Sequence, residues 1–447
     1  MARAQRMKSS NNAEVKVMDL LELPLDILIN ILSRLPAESL LCIRCVSKAL
    51  LNMVDDPSFA RVLHAHLQVP QLMLFSGRKY HPKPGGIEVL ASLQPVKYDG
   101  YRALTKGQYE ISVTARKIYN SEDSHYKIDF VFCNLFFLRK SWGIGRFLVN
   151  PLRGGEVLRL PMSDITKYGK YFNVTRDWYG MGFDDLTNTY KIVRVSRVFN
   201  GSYTENCLVT QVLVLGESSW REILSVPPGD LNANERSYIM KNVCANGDMH
   251  WLITGNFTMK GSEGTCHIIS FDFKREEFCW TPHPILQSSK VSSDLYFNLH
   301  LLTLRGSMAL VYQSASQGGT LMDIEIWVLK NYDKKEWTRD YNINNKPFDG
   351  SCHEWEHGIF FKASTYTVFL DLNCFSVNYI TYEYGEYPTI LSYTRSLVSL
   401  KEYGNLVEGE PSDYGSLESY GKLIEREEQG FSLSERHVLR YTSSGGC

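Results

Sequence analysis

Hydrophobic residues follow two different spacings along the chain, and the change from one to the other divides the sequence. Between residues 20 and 67, apolar side chains recur every three or four positions, which is the spacing of amphipathic helices. From about residue 68 to residue 400, short apolar runs alternate with polar residues, as around Tyr190 and Ile192, and this is the spacing of strands. The pattern therefore predicts a small helical segment followed by a large β domain.

The helical segment is predicted to hold three helices. Pro24 suits a first helical turn, where its missing N–H is no loss. Pro36 ends the first helix, because the residue before a proline is pushed out of the helical region. A second helix begins at Ser39 or the residue before it and runs through Leu51, and residues 57–67 form a third.

These helices carry more apolar surface than they can bury among themselves. Apolar residues cover more than one face of the first two helices, and a segment of about 50 residues is too small to enclose them all. A contiguous exposed apolar patch usually marks a binding site. We therefore expect a second polypeptide to cover it; the alternative is that the helices pack on the chain's own β domain.

The stretch LPLDILINILSRLPAESLLCIRCVSKAL, residues 23–50, resembles an F-box. The F-box docks substrate receptors onto the adaptor subunit of SCF-type cullin–RING ubiquitin ligases. Leu50 stands where many members carry Trp, which implies a looser last contact. The resemblance implies that the adaptor-facing and core positions are Leu23, Pro24, Ile27, Leu28, Ile31, Leu35, Pro36, Leu40, Leu41, Ile43, Cys45, Val46 and Lys48.

In the β domain one pattern recurs: an apolar strand, an Asp or Asn, a few polar turn residues, and a strand that opens with an aromatic residue. Trp220, Phe278 and Trp337 occupy the same place in successive units, about 58 residues apart. A sheet of a few short strands cannot bury both faces alone, whereas neighbouring sheets cover each other. The spacing therefore predicts the blades of a β-propeller, with a two-sheet β-sandwich as the alternative.

The β domain also resembles the F-box-associated domain of plant F-box proteins. The matching landmarks are Asn150-Pro151, Leu160-Pro161, Gly182-Phe183-Asp184, Tyr190-Lys191-Ile192-Val193-Arg194, Trp220-Arg221, Gly247-Asp248-Met249-His250-Trp251, Phe271-Asp272, Glu277-Phe278 and Ile326-Trp327-Val328. The family usually has Gly where Leu135 follows Cys133-Asn134, which implies a reshaped turn. SYTRSLVSL, residues 392–400, resembles the ending of S-locus F-box proteins, a branch that recognises pistil ribonucleases, although the wider family shares it.

The segment HEWEH, from His353 to His357, has the H-E-x-x-H spelling of zinc proteases. Zinc binding by this motif needs a helix of several turns, but Gly350 precedes the segment and Gly358 follows it. In a strand the two imidazoles would lie ~13 Å apart, too far to share one ion. We therefore interpret the spelling as a coincidence and keep a metalloprotease only as a remote alternative.

The composition limits which partners the chain can bind and in which compartment it is expected. The net charge is −1 from 48 basic and 49 acidic residues, so no strong field attracts nucleic acid or an anionic membrane. Ten scattered cysteines fit reduced thiols better than a disulfide framework. The N-terminus lacks the apolar run of a signal peptide, and no stretch has the length of a membrane helix. We expect no cofactor and no metal, and a cytoplasmic location that can extend to the nucleus.

Together these features predict an α+β multidomain chain. We expect a disordered N-terminus (1–16), a three-helix F-box (17–67), a linker with the first strand (68–100), the F-box-associated β domain (101–400) and a polar, disordered tail (401–447). The resemblance implies a non-catalytic substrate receptor that binds the SCF adaptor, and a cullin through it, together with a protein target. A β-propeller scaffold without a ligase role is the alternative.

Overall fold

A computed structural model shows the chain as two compact units, residues 1–66 and residues 67–447. The structure describes residues 23–35, 37–56, 59, 62, 70–76, 87–98, 104–106, 111–116, 126–140, 146–153, 156–163, 177–199, 206–228, 238–255, 265–283, 299–315, 322–346, 351–362, 366–381, 389–394 and 397–406. None of the helices in these ranges combines the length and the apolarity that crossing a bilayer requires.

The described part of the first unit contains three short helices. They are α1 (Leu25–Leu32), α2 (Ala37–Ile43) and α3 (Lys48–Asp55). The single helix predicted from Ser39 through Leu51 is wrong, because the side chain of Ser47 accepts a hydrogen bond from the N–H of Leu50 and begins a new helix. The helix predicted over residues 57–67 lies largely outside the described residues.

Within the described ranges, the second unit forms six antiparallel sheets, numbered I to VI here. Sheet I contains β1 (Gln71–Ser76), β2 (Ile87–Tyr98), β3 (Leu104–Lys106), β4 (Ile111–Arg116) and the last strand, β25 (Thr389–Tyr393). Sheet II contains β5 (Tyr126–Phe132), β6 (Leu135–Lys140), β7 (Arg146–Asn150) and β8 (Glu156–Arg159). Sheet III contains β9 (Trp178–Asp184), β10 (Thr189–Phe199), β11 (Asn206–Val214) and β12 (Arg221–Ile223).

The remaining three sheets repeat the same order of four strands. Sheet IV contains β13 (Tyr238–Ala245), β14 (Asp248–Gly255), β15 (Thr265–Asp272) and β16 (Glu277–Thr281). Sheet V contains β17 (Leu299–Leu304), β18 (Ser307–Ala315), β19 (Met322–Asn331) and β20 (Glu336–Lys346). Sheet VI contains β21 (Ser351–Trp355), β22 (Gly358–Lys362), β23 (Tyr366–Asp371) and β24 (Val377–Thr381).

The six sheets stand in a ring. The edge strands β5, β9, β13, β17, β21 and β25 contact one another in that order, and β25 returns to β5. These strands therefore face a common axis, and the fourth strand of each sheet lies at the periphery. The predicted β-propeller is confirmed, and the β-sandwich alternative is wrong.

Sheet I closes the ring by joining the two ends of the β domain. β25 pairs antiparallel with β1, with Leu391 opposite Met73. On the other side of β1, β2 is long enough to pair with both β3 and β4, which share the outer position. β1 is thus held between β2 and β25, the last strand that the structure describes.

The recurrent aromatic residues mark the junctions between sheets. Trp220 directly precedes β12, and its indole N–H donates to the carbonyl of Pro161, which follows β8 of the preceding sheet, at 2.8 Å. Trp337 in β20 makes the same bond, also at 2.8 Å, to the carbonyl of Pro282, which follows β16. Phe278 has no indole, and there its backbone N–H donates to the hydroxyl of Ser225.

The two rims of the propeller differ in the length of their connections. On one rim, short turns join the first strand to the second and the third to the fourth, as at residues 246–247 and 273–276. On the opposite rim, residues 160–177, 224–237 and 282–298 link consecutive sheets. Most of these longer connections lie outside the described residues, including the sites where loop contacts with a target are expected.

Candidate functional site

The interior of the helical unit is filled by aliphatic side chains from all three helices and by Phe59. The buried members are Leu28, Leu32, Leu40, Leu41, Leu50 and Val54. Arg44, which follows α2, forms two parallel hydrogen bonds of 2.7 Å with the carboxylate of Asp55 at the end of α3. Such bidentate pairs fix geometry as well as charge, so packing and an ion pair together hold α2 against α3.

A second set of apolar side chains on the same unit points outward. Ile27 and Ile31 lie four residues apart and therefore share one face of α1, where they are 44% and 43% exposed. Leu28, between them in sequence, is only 2% exposed. Burying a whole aliphatic side chain is worth about 1.5–3 kcal/mol, so covering the exposed part of each isoleucine would contribute about 1 kcal/mol to a complex.

The residues that the F-box resemblance implies divide into three groups. Pro24, Ile27, Ile31, Cys45, Val46 and Lys48 are exposed. Leu23, Leu35 and Ile43 are half-buried. Leu28, Leu40 and Leu41 are buried. Pro36 lies outside the described residues. The first group can meet a partner directly, whereas the third group holds the helices together.

The exposed apolar residues of this unit that were not among the implied positions include Leu25, Leu51 and Val62. Leu25 begins α1 and Leu51 lies in α3. Leu25 precedes Leu28 by three residues, so helical spacing alone would have placed it beside the buried face. The apolar surface is therefore broader than the motif indicates.

On the propeller, the Gly-Phe-Asp and Tyr-Lys landmarks form a junction between sheets III and IV. The ammonium of Lys191 lies 2.7 Å from a carboxylate oxygen of Asp184, 2.8 Å from one of Glu276 and 3.0 Å from the carbonyl of Phe273. Gly182 makes room for this contact, because a Cβ there would lie 2.1 Å from the ring of Phe273. A lysine from one sheet thereby binds the turn of the next.

The charge of Asp184 is strongly stabilised at this junction. Burial alone raises the pKa of the carboxyl, but hydrogen bonds from Lys191, from the hydroxyl of Thr187 and from the backbone N–H groups of Leu186 and Thr187 outweigh it. The result is a pKa of about 2. Asp184 is therefore ionised at any physiological pH.

His250 of the Gly-x-x-His-Trp landmark is a structural residue. Its Nε2 lies 3.0 Å from the carbonyl of Ala245, which can only accept, so Nε2 carries the proton. The hydroxyl of Ser270 then donates to Nδ1 at 2.7 Å, and Thr281 donates to Ser270. Burial lowers the pKa of His250 to about 4, so the ring stays neutral. Because Ser270 is fully buried, this serine–histidine pair cannot reach a substrate.

The Cys-Asn and Asn-Pro landmarks bind the C-terminal stretch of the β domain. The amide of Asn134 donates to Asn150 at 2.6 Å, and Asn150 donates to the carbonyl of Val398 at 2.6 Å. The carboxylate of Glu156 accepts from the N–H of Leu400 at 2.6 Å. Val398 and Leu400 of the SYTRSLVSL stretch are therefore bound inside the fold by buried polar groups of sheet II.

The turn at Cys133-Asn134 accommodates Leu135 in place of the glycine. Cys133 takes a positive φ of 55°, and Leu135 begins β6 with its side chain fully buried. Residues other than glycine reach this region at a small cost. The position that usually holds glycine thus contributes a core side chain here.

HEWEH lies in a strand and a turn. His353 belongs to β21, whereas His357 lies in the turn before β22. Glu354 accepts a hydrogen bond of 2.5 Å from the N–H of Arg305 and so joins sheet VI to sheet V. The segment lacks the helix that a metalloprotease requires, and among the described residues no group of three His, Cys, Asp or Glu side chains is placed to hold a metal ion.

Comparisons with known proteins agree with both units. A family model described as an F-box domain matches residues 20–61, and one described as an F-box associated beta propeller domain matches residues 103–400. A putative F-box protein of Arabidopsis thaliana, At1g53550, is 22% identical over 78% of this chain and 77% of its own length. Another, At1g30920, is 24% identical over 71% of this chain and 72% of its own length. Among solved structures, an α-L-arabinanase of Penicillium chrysogenum covers 70% of this chain and 86% of its own at 9% identity, with a TM-score of 0.32, a similarity too weak to carry a conclusion.

Proposed function

The chain belongs to the F-box proteins that carry an F-box-associated β-propeller domain, and on that premise we propose that it is the substrate-recognition subunit of an SCF-type cullin–RING ubiquitin ligase. The observation that carries the proposal is the exposed apolar surface of a helical unit whose interior is already filled. Ile27, Ile31 and Val46 are exposed while the leucines beneath them are buried. Such a surface is stabilised when a partner covers it.

The proposal divides the work between the two units. The helical unit docks on the adaptor, and a cullin joins through it. The propeller holds a protein target near the ubiquitin-charged enzyme, which raises the effective concentration of the target at the reacting centre. The chemistry takes place on other subunits, so this chain acts without a catalytic group or a cofactor of its own.

We assign target binding to the rim with the longer connections. Residues 160–177, 224–237 and 282–298 form longer connections than the short turns of the opposite rim, and such connections commonly carry recognition. The resemblance of residues 392–400 to S-locus F-box proteins does not favour a ribonuclease target, because Asn150 and Glu156 bind that stretch within the fold. The proposal therefore extends to protein targets in general.

The experiment is co-purification of the full chain with the SCF adaptor subunit. Aspartates at Ile27 and Ile31 place charge in an apolar interface, which costs about 2–5 kcal/mol, so we expect binding to weaken at least about 30-fold. Leu28 is unsuitable for this test, because an aspartate at a buried position would unfold the helices.

The matched control is Leu186→Asp, which places the same charge on an exposed leucine of the propeller. We expect this variant to bind the adaptor like the unaltered chain. Full adaptor binding by the Ile27→Asp, Ile31→Asp variant would contradict the assigned surface. Failure of the unaltered chain to bind the adaptor would favour a propeller scaffold without a ligase role.

A further inference from the structure

The outermost strand of sheet VI differs in charge from the outermost strands of the other sheets. Charged residues in the other outer strands include Lys106 in β3, Arg116 in β4, Glu156 and Arg159 in β8, Arg221 and Glu222 in β12, Glu277 in β16, and Glu336, Arg339, Asp340 and Lys346 in β20. The strand β24 reads VNYIT and has none. Proteins commonly place charges on edge strands to prevent pairing with other chains.

The strand β24 is also regular, so its outer edge is suitable for pairing. β20 is displaced from its partner at three register shifts, whereas β24 pairs with β23 without interruption. Bulges are another device that protects an edge. Among the outer strands that the structure describes, β24 therefore lacks both charge and bulge.

One hydrogen bond between β23 and β24 shows which N–H and C=O groups of β24 point outward. The N–H of Asp371 donates to the carbonyl of Ser376 at 3.0 Å, which makes these two residues a hydrogen-bonded pair. Such pairs alternate with non-bonded pairs along an antiparallel ladder. The residues whose N–H and C=O groups point away from β23 are therefore Val377, Tyr379 and Thr381. In the described part of the chain no strand pairs with this side of β24.

Exposed aromatic side chains lie beside this edge. Tyr379 is 40% exposed, and Phe375, in the turn that leads into β24, is 52% exposed. Phe375 has a φ of 57°, a left-handed conformation that is unfavourable for a bulky side chain. Its ring lies 6.3 Å from that of Tyr341 in the neighbouring sheet. The equivalent positions in the turns before β16 and β20 hold Glu276 and Lys335. Strained residues cluster at functional sites, so an exposed phenylalanine in this conformation points to contact with a partner rather than to a role in forming the turn.

We propose that the edge of β24 binds an extended, uncharged segment of another protein, which adds to sheet VI as a fifth strand. Its backbone pairs with Val377, Tyr379 and Thr381, and its apolar or aromatic side chains lie against Tyr379 and Phe375. The absence of charge on β24 selects an uncharged segment, because a charge opposite this strand would lose water without gaining a partner.

A second copy of the chain fits this edge less well than a flexible segment does. Stable interfaces between folded proteins bury more than about 1,000 Å² in total. Two five-residue strands on the convex outer surfaces of two propellers would bury much less than that. An extended segment can follow the edge and also reach Phe375 and Tyr341. Each of its residues therefore makes more contact with the propeller than a residue of a second folded copy would.

The test uses the full chain and a fluorescein-labelled nonapeptide of alternating threonine and valine with one central phenylalanine. A second peptide carries N-methyl groups on alternate residues, which remove backbone donors and keep the side chains. In fluorescence anisotropy titrations we expect saturable binding of the first peptide and binding at least about tenfold weaker for the second, because strand addition depends on backbone hydrogen bonds.

A matched pair of variants locates the site. Tyr379→Lys restores an edge charge and is expected to weaken binding at least about tenfold. Trp280→Lys alters a side chain of nearly equal exposure, 39%, on the outer strand of sheet IV and is expected to leave binding unchanged. Circular dichroism should show the same fold for both variants, since both positions are exposed.

Several outcomes would overturn the proposal. They are no saturable binding of the first peptide, equal binding of the N-methylated peptide, or equal loss in the two variants. Dimerisation of the full chain that Tyr379→Lys abolishes would assign the edge to a second copy instead. The titrations contain no adaptor, so their result is independent of the proposed docking on the ubiquitin ligase.

Discussion

The buried charge of Asp184 gives a quantitative prediction for the junction between sheets III and IV. Asp184→Asn keeps the shape of the side chain and an oxygen that can accept the N–H of Leu186, but it removes the negative charge beside Lys191. The pKa of Asp184 is about 2 in the folded chain against 3.8 as its ordinary value. Each pKa unit corresponds to about 1.4 kcal/mol, so the charge contributes about 2 kcal/mol to the free energy of unfolding at neutral pH.

The pH dependence of this contribution distinguishes charge from packing. Because the folded pKa is depressed, the contribution is fully present above the unfolded value of 3.8 and is lost as the pH falls toward 2. The difference in free energy of unfolding between the unaltered chain and Asp184→Asn should therefore be constant from about pH 7 to pH 5 and fall to roughly half at about pH 3.

The assay is equilibrium urea unfolding of the full chain, followed by tryptophan fluorescence at pH 7 and pH 3. Asp185→Asn is the matched control, since Asp185 is exposed and pairs at 2.9 Å with Lys274, which is also exposed. Exposed pairs contribute little, and we expect a change below about 0.5 kcal/mol. An unaltered stability of Asp184→Asn at pH 7, or an equal loss at both pH values, would refute the electrostatic account.

Two further predictions concern buried polar groups. The pKa of His250 is about 4 in the folded chain against 6.5 as its ordinary value, so the free energy of unfolding should fall by up to about 3 kcal/mol between pH 6.5 and pH 4. In urea unfolding, His250→Gln should lack this dependence on pH. An unchanged dependence on pH would contradict the assignment. Asn150→Ala removes the hydrogen bonds that Asn150 makes to the amide of Asn134 and to the carbonyl of Val398, so we expect the free energy of unfolding to fall by about 2–4 kcal/mol. Limited proteolysis of this variant should cut near residue 398 first. Unaltered protection there would argue against closure by Asn150.

Local spacing in the sequence favoured the β-propeller and left a β-sandwich as the alternative. Trp220, Phe278 and Trp337 recur because each lies near the start of an outermost strand and hydrogen-bonds to the segment that follows the outermost strand of the preceding sheet. Such a repeated contact appears directly as a period in the sequence. The strands themselves could also be predicted without long-range information, because the alternation of apolar and polar residues lies within each strand.

Interactions between distant residues could not be read in the same way. Asn150 and Val398 are 248 residues apart in the chain, and only the closure of the ring through β25 brings them together. The break between α2 and α3 was missed for a local reason: the apolar spacing continues across it, and the capping serine at Ser47 competes with helical propensity. The separation of Leu28 from Ile27 and Ile31 likewise depends on packing, which the motif alone does not contain.

The landmarks that this propeller has in common with its family hold the ring together. Asp184 and Lys191 join sheet III to sheet IV, Trp220 joins sheet III to sheet II, and Asn150 closes the C-terminal stretch on sheet II. Residues with these structural roles are buried or form hydrogen bonds and ion pairs with neighbouring sheets, so they cannot also select a partner. Selectivity among proteins built on this plan must therefore reside in surfaces that the landmarks leave free. In this chain the surfaces that we propose for this role are the rim with the longer connections and the uncharged edge of β24. The two would select partners differently, because a loop presents side chains whereas a strand edge presents backbone groups.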